Sequence, residues 1–171
     1  MTMWTIIDGN ILDVAADVLV CSANPFLTLS GGVGGAFSLR YGPAMQGQLI
    51  EHLMKLGVRH VPTGTVVEMA PCDSAYQLVM HAVAVDAEYK STPQIITRIV
   101  ERILYRVGEL ESKSVALPAL ATGYGMLTKE EFAQGLLPLL DRNFNVESVI
   151  ICLKRPDDAE LVRKILGLEI P

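Results

Sequence analysis

Two rhythms of apolar residues alternate along the chain. The first is a set of short continuous runs: Met3 to Ile7, Asp17 to Ser22, Thr65 to Met69, Leu78 to Val85, Val115 to Leu117 and Val146 to Leu153. A run such as Val18-Leu19-Val20-Cys21, apolar at every position, predicts a strand covered on both faces. Between these runs the apolar residues recur at helical spacing. Gly34 to Tyr41 predicts a short helix stopped by Gly42-Pro43. Ala44 to Leu56 predicts a second, closed by Gly57, with Met45, Leu49, Leu53 and Leu56 on one face. Thr92-Pro93 opens the longest helix, since Thr is a good N-cap and Pro fits the first turn. Its stripe is Ile95, Ile96, Ile99, Val100, Ile103, Leu104, Val107 and Leu110, opposite Glu101, Arg102, Arg106 and Glu109. Thr128 caps a further helix, and Glu131 three residues on completes a capping box. The last helix is expected from Asp157 to Leu166, with Asp157 and Asp158 suited to its positive end by capping and the helix dipole. Pro71-Cys72-Asp73-Ser74 marks a turn, so the strands on either side of it are expected to form an antiparallel hairpin. The whole pattern predicts an α/β fold: a three-layer αβα sandwich with a mixed, mostly parallel central sheet, residues 1–171 forming one domain.

Composition narrows the function classes. Half of the 171 residues are hydrophobic, enough to build a core without disulfide or metal staples. No apolar run approaches the roughly 20 residues of a membrane span. Met1 to Thr5 has neither the charged nor the apolar region of a signal peptide. The formal net charge of -5 argues against general affinity for nucleic acid, which needs a basic face. Cys21, Cys72 and Cys152 are too widely spaced for a zinc site; Cys21 and Cys152 sit in apolar runs as core residues, and a reducing cytoplasm is the expected home. No metal and no cofactor are expected.

Three glycine-bearing turns follow predicted strands: Gly9-Asn10-Ile11, Asn24 to Gly35, and Ala121-Thr122-Gly123-Tyr124-Gly125. Glycine turns and helix N-termini present backbone N–H groups to anions. In α/β sheets ligands bind outside the carboxyl ends of the strands. If the three strands lie side by side, their loops surround one crevice. Two facing glycine loops would hold a diphosphate, and Tyr124 would cover a sugar or base.

In family order, Gly9-Asn10-Ile11, Val20-Cys21-Ser22-Ala23-Asn24, Ser30-Gly31-Gly32-Val33-Gly34-Gly35-Ala36-Phe37, Val79-Met80-His81-Ala82-Val83 and Pro118-Ala119-Leu120-Ala121-Thr122-Gly123-Tyr124-Gly125 resemble the motifs of the macro domain family of ADP-ribose-binding modules. The resemblance runs from the first strand to the second glycine loop. It implies that Gly31, Gly32, Val33 and Gly34 supply backbone donors to the inner phosphate. Thr122, Gly123, Tyr124 and Gly125, after Ala121, would wrap the outer phosphate and distal ribose. Asn24 would sit beside that ribose, and Gly9, Asn10 and Ile11 at the adenine. The implied ligand is free ADP-ribose or an ADP-ribosylated macromolecule.

Two departures bear on chemistry. Asn10 replaces the family's adenine-selecting carboxylate, adding two donors where only acceptors stood. Gly34 stands where, by the resemblance, hydrolytic members often carry Asp, and glycine cannot position or activate a water. Two readings follow. One is hydrolysis of an ADP-ribosyl ester or a phosphomonoester of ADP-ribose, with a water held between the diphosphate and Asn24. The other is a non-catalytic ADP-ribose reader; a binder of another phosphorylated nucleotide metabolite is a further alternative. A Rossmann dinucleotide domain lacks its Gly-x-Gly-x-x-Gly after the first strand, and no P-loop motif occurs. Outside the loops, His81 is expected as a hydrogen-bonded core histidine, His52 and His60 face solvent, Asp17 holds a neighbouring backbone group, and Asp8 is a weaker candidate for a substitute carboxylate beside Gly9.

Overall fold

The continuous apolar runs assemble into one six-stranded sheet, seen in a computed structural model that describes residues 1–171. The strands are β1 (Met3–Asp8), β2 (Val18–Ala23), β3 (Val66–Met69), β4 (Leu78–Val83), β5 (Ser114–Leu117) and β6 (Ser148–Leu153), in the spatial order β1-β6-β5-β2-β4-β3. All neighbouring pairs are parallel except β3 with β4, which form the expected antiparallel pair, with Val67 opposite His81. The helices are α1 (Gly32–Tyr41), α2 (Ala44–Leu56), α3 (Pro93–Glu109), α4 (Lys129–Leu136) and α5 (Pro156–Leu166).

Side-chain alternation along the strands divides the interior into two cores, one on each face of the sheet. Val18, Val20, Met80, Ala82, Val115 and Leu117 pack with α3, α4 and α5. Leu19, Cys21, Val79, Val83 and Ala116 pack with Phe37, Met45 and Leu49 of α1 and α2. The α3 stripe is the strongest single anchor: Ile96, Ile99, Val100, Ile103 and Leu104 are fully buried. Each contributes about 1.5–3 kcal/mol of apolar burial.

Local chemistry sets the element ends. Thr92 Oγ1 accepts from the Ile95 N–H at 3.2 Å. At α4 the capping box is complete: Thr128 Oγ1 accepts from the Glu131 N–H at 3.1 Å and Glu131 Oε1 from the Thr128 N–H at 3.2 Å. Asp17 holds backbone as expected, its Oδ2 accepting from the N–H groups of Lys113 at 2.7 Å and Ser114 at 3.2 Å.

Several expectations are corrected. Helix α1 begins at Gly32, two residues early, so the glycines form its first turn rather than a separate loop. Leu56 and Leu110 are exposed: Leu56 is the last residue of α2, and Leu110 is the C-cap just after α3. Strand β4 stops at Val83, and β6 begins at Ser148, after Asn145 takes a left-handed φ of 58°. Helix α5 has no side-chain cap; Asp157 and Asp158 lie in its first turn, where they suit the dipole, and Asp157 also stands 3.6 Å from the Arg155 guanidinium. The three loop-bearing strands are not all adjacent: β2 and β5 are neighbours, but β6 separates β1 from them.

Candidate functional site

The first glycine loop leaves β2 through Asn24, whose amide is absorbed by the turn that follows. Asn24 Oδ1 accepts from the N–H groups of Phe26 at 3.0 Å and Thr28 at 3.3 Å, and Nδ2 donates to the Thr28 carbonyl at 3.1 Å. One Nδ2 hydrogen stays unassigned, and no acceptor position is left over to serve as a base. From α2, Gln46 clamps the same loop: its Oε1 accepts from the Leu29 N–H at 2.7 Å and its Nε2 donates to the Leu27 carbonyl at 3.0 Å. Gln46 escaped the sequence reading; its signal was an amide directly beside the buried Met45. The loop then enters α1 with no side-chain cap. No group of the chain accepts from the N–H of Gly31, Gly32, Val33 or Gly34. Gly32 has φ +57°, a backbone that a Cβ would strain.

The second glycine loop is tied to the first strand system at its root. The Ala121 N–H donates to Ser22 Oγ of β2 at 3.4 Å. Thr122 Oγ1 donates to the Ala119 carbonyl at 2.7 Å, and the Leu127 N–H returns to the Ala121 carbonyl at 3.2 Å. Gly125 lies so close to the Ala121 carbonyl that any Cβ there would overlap it. The Met126 N–H donates to the Tyr89 carbonyl at 3.0 Å, linking the loop to the β4–α3 connection. Lys129 Nζ lies 3.5 Å from the Thr122 carbonyl, a cation behind the loop that the sequence pattern did not single out. The N–H groups of Thr122, Gly123, Tyr124 and Gly125 donate to nothing in the chain. Tyr124 is 72% exposed, yet its ring lies directly over Gly31, so the two loops meet.

The third turn lies at the end of β1. Gly9 donates its N–H to the Leu153 carbonyl at 2.8 Å, and the Cys152 thiol faces the Gly9 carbonyl at 3.5 Å. Asn10 caps a single 3-10 turn, Ile11–Asp13, its Oδ1 accepting from the Leu12 N–H at 3.0 Å. Around that turn the Asp13 N–H donates to the Asn10 carbonyl at 3.0 Å. The Tyr76 hydroxyl donates to the Ile11 carbonyl at 3.4 Å, and Arg40 reaches both the Leu12 carbonyl and Asp13.

The position of Gly34 bears on catalysis. A Cβ built there would stand 2.7 Å from Cδ2 of Leu29, the flexible end of that side chain, and the glycine itself brings no carboxylate to the loop. Beneath the site, His81 is 1% exposed, and neither ring nitrogen finds a hydrogen-bond partner. Burial pushes its pKa down to about 4, so it is neutral near pH 7. This corrects the expected hydrogen-bonded histidine: its register partners on β2 and β3 are Cys21 and Val67, and neither ring nitrogen makes a hydrogen bond. Burial likewise pushes the thiol of Cys21 up to about 12 and that of Cys152 up to about 11, leaving both unreactive. An open groove of about 770 Å³ lies elsewhere, where Pro62 to Thr65 face Arg98 and Arg102 of α3. It lies away from both glycine turns.

Fold and loops together define an α/β domain with two sets of unpaired backbone donors where its strands end. The chain belongs to the macro domain family: the family model described as Macro domain matches residues 20–136. A macro domain-containing protein from Streptomyces nogalater is 33% identical over 124 residues, covering 72% of this chain and 68% of the relative. Among solved structures, a mutant Oceanobacillus iheyensis macrodomain with ADPR superposes with a TM-score of 0.84 at 23% identity, covering 95% of this chain and 90% of that one. A Trypanosoma brucei macrodomain in complex with ADP-ribose gives a TM-score of 0.80 at 17% identity, covering 96% of this chain and 69% of that one. No helix of this chain is long and apolar enough to cross a membrane.

Proposed function

We propose that the chain binds ADP-ribose, or a close derivative built on the same diphosphate and distal ribose, and does not hydrolyse it efficiently. The observation that carries this reading is the pair of unpaired donor sets, Gly31 to Gly34 and Thr122 to Gly125, at the ends of the adjacent strands β2 and β5. Unbonded backbone N–H groups are costly unless water or a ligand accepts from them, and a diphosphate offers oxygens to both sets. Membership of the macro domain family and its ADP-ribose-bound structural neighbours support the same ligand. In this reading Gly31, Gly32, Val33 and Gly34 take one phosphate, and Thr122, Gly123, Tyr124 and Gly125 the other with the distal ribose. The remaining Nδ2 hydrogen of Asn24 meets a ribose hydroxyl. The reader function is favoured over the hydrolase by two features. Gly34 offers no carboxylate, and both acceptor positions of Asn24 are engaged by its own turn.

Isothermal titration with ADP-ribose, compared with ADP, AMP and NAD, tests the binding. Micromolar affinity for ADP-ribose, clearly tighter than for AMP and lost in Gly32→Glu, is expected. Absence of ADP-ribose binding by the folded protein overturns the reading. Incubation with an ADP-ribosylated protein tests the second half: the modification is expected to persist, and its removal at enzymatic rates would make this chain a hydrolase.

A further inference from the structure

The wet face of α3 carries arginines of two kinds. Arg106 is matched: its guanidinium meets both carboxylate oxygens of Glu68 on β3, at 2.9 and 3.2 Å, and Glu109 at 3.2 Å. Arg142, which lies over the ring of Tyr105, is matched by Glu101. Arg98 and Arg102 are not matched. Arg98 makes no hydrogen bond or ion pair within the chain, and Arg102 makes one bond, from Nη1 to the Gly64 carbonyl at 3.3 Å. Both are exposed, and both open onto the groove of about 770 Å³ between α3 and Pro62 to Thr65. Four residues apart, they share one side of the helix. Two uncompensated cations on one wall of a groove, in a chain of net charge -5, attract an anion to that place.

The opposite wall is fixed in place. The Val61 N–H donates to the Pro25 carbonyl at 2.9 Å and the Gly64 N–H to the Val83 carbonyl at 2.7 Å. Thr63 Oγ1 donates to the Val85 carbonyl at 3.1 Å, and Thr65 Oγ1 to the Pro62 carbonyl at 2.7 Å. These bonds leave the Thr63 N–H without an acceptor in the chain. The bond from Arg102 to Gly64 restrains its guanidinium at the groove, so less side-chain freedom is lost when an anion docks. Glu101 lines the groove as well, but its charge is taken by Arg142.

Spacing selects the occupant. Four helical residues at about 1.5 Å each set Arg98 and Arg102 about 6 Å apart along the axis. Alternate residues of an extended peptide share a side and repeat every 6.6 Å or so, about the same distance. Carboxylates at alternate positions therefore each meet a guanidinium, which takes a carboxylate through two parallel N–H bonds. Adjacent carboxylates point to opposite sides, and only one reaches the wall. Nucleic acid is disfavoured, because it calls for cations along many phosphates. We propose that this groove docks an extended acidic segment of a partner protein, with two carboxylates at alternate positions seated on Arg98 and Arg102. The inference stands apart from the ADP-ribose reading, since the groove shares no residue with the glycine turns.

The probe is an eight-residue peptide of serine and glycine carrying two glutamates at alternate positions. Its isomer carries the same two glutamates side by side. Each is titrated into nitrogen-15-labelled protein and followed by NMR. The alternate peptide is expected to bind with a dissociation constant below about 1 mM, moving the Thr63 amide and the Nε–H signals of Arg98 and Arg102. The adjacent isomer is expected to bind at least about threefold more weakly. Arg98→Gln and Arg102→Gln should each weaken the alternate peptide by about threefold or more, with melting temperature and ADP-ribose affinity nearly unchanged. Lys164→Gln removes the same unit charge from α5, which packs on β1 at the other edge of the sheet, and should leave peptide affinity unchanged. Equal binding of the two isomers, an equal loss in Lys164→Gln, or signal changes confined to residues outside the groove overturns the docking assignment. Equally tight binding of a thymidine trinucleotide, which carries two phosphates, overturns it in favour of a general polyanion surface. Binding of neither peptide by the folded protein also overturns it and leaves the ADP-ribose reading untouched.

Discussion

His81 carries a quantitative prediction about acid. Its imidazole is buried against β2 and β3 with both nitrogens unpaired, so the folded protein holds it neutral down to about pH 4, whereas the unfolded chain protonates it near 6.5. Between these values the unfolded state binds more protons than the folded one, so stability falls as pH falls. The slope is about 1.4 kcal/mol per pH unit, and the loss approaches about 3 kcal/mol once the folded pKa is reached. Above pH 7 the group adds no pH dependence. His81→Leu removes the titration and two unsatisfied polar atoms at nearly constant volume. Near pH 7 the variant should lie within about 1–2 kcal/mol of the unmodified protein, the relief of the unpaired N–H being partly offset by shape mismatch. Urea denaturation of both proteins at half-unit steps from pH 7.5 to 4.5 is the assay. The difference in unfolding free energy should grow in favour of His81→Leu by about 2–3 kcal/mol across that range. Parallel curves, or a gain by the unmodified protein on acidification, would refute the reasoning and require a partner for the imidazole.

Three further outcomes follow from the contacts. Gly125→Ala forces a Cβ into the Ala121 carbonyl, so ADP-ribose affinity should fall at least tenfold by calorimetry with the core intact. Asp17→Ala leaves the Lys113 and Ser114 N–H groups at the start of β5 without their acceptor and should cost roughly 1–2 kcal/mol by urea denaturation, with Asp17→Asn recovering part. Thr128→Ala removes the side-chain arm of the capping box, the Oγ1 that accepts from the Glu131 N–H, and should cost about 1 kcal/mol, measured the same way.

The layers of the fold were legible because burial on two faces writes itself as uninterrupted apolar runs and burial on one face as a stripe. Val18 to Cys21 and the α3 stripe are plain in the sequence for that reason. The ends of elements were less legible where tertiary position decides them. Nothing local distinguishes Leu53 from Leu56, yet only the second projects past the sheet into solvent. Strand order was illegible at β6, since an apolar run carries no information about its neighbours; its insertion between β1 and β5 sets the β1 turn apart from the two glycine loops. The glycine positions of the site were visible as composition. Their supporting contacts were not: Gln46 on Leu27 and Leu29 and Ser22 on Ala121 join residues far apart in sequence, and the Asn10 cap on Leu12 depends on which amide atom faces the turn.

The ring of Tyr124 resting on Gly31 has an energetic consequence. A ligand that is to touch donors on both loops must displace the ring, and because the side chain is largely exposed it swings away far faster than any mixing experiment resolves. For the diphosphate ligand proposed above, the contact therefore acts on the equilibrium rather than on the rate of arrival: the measured dissociation constant is the intrinsic one divided by the fraction of molecules already open. Tyr124→Ala removes that factor and, with it, the ring that would cover the bound ligand, so the measured affinity reports the balance of the two.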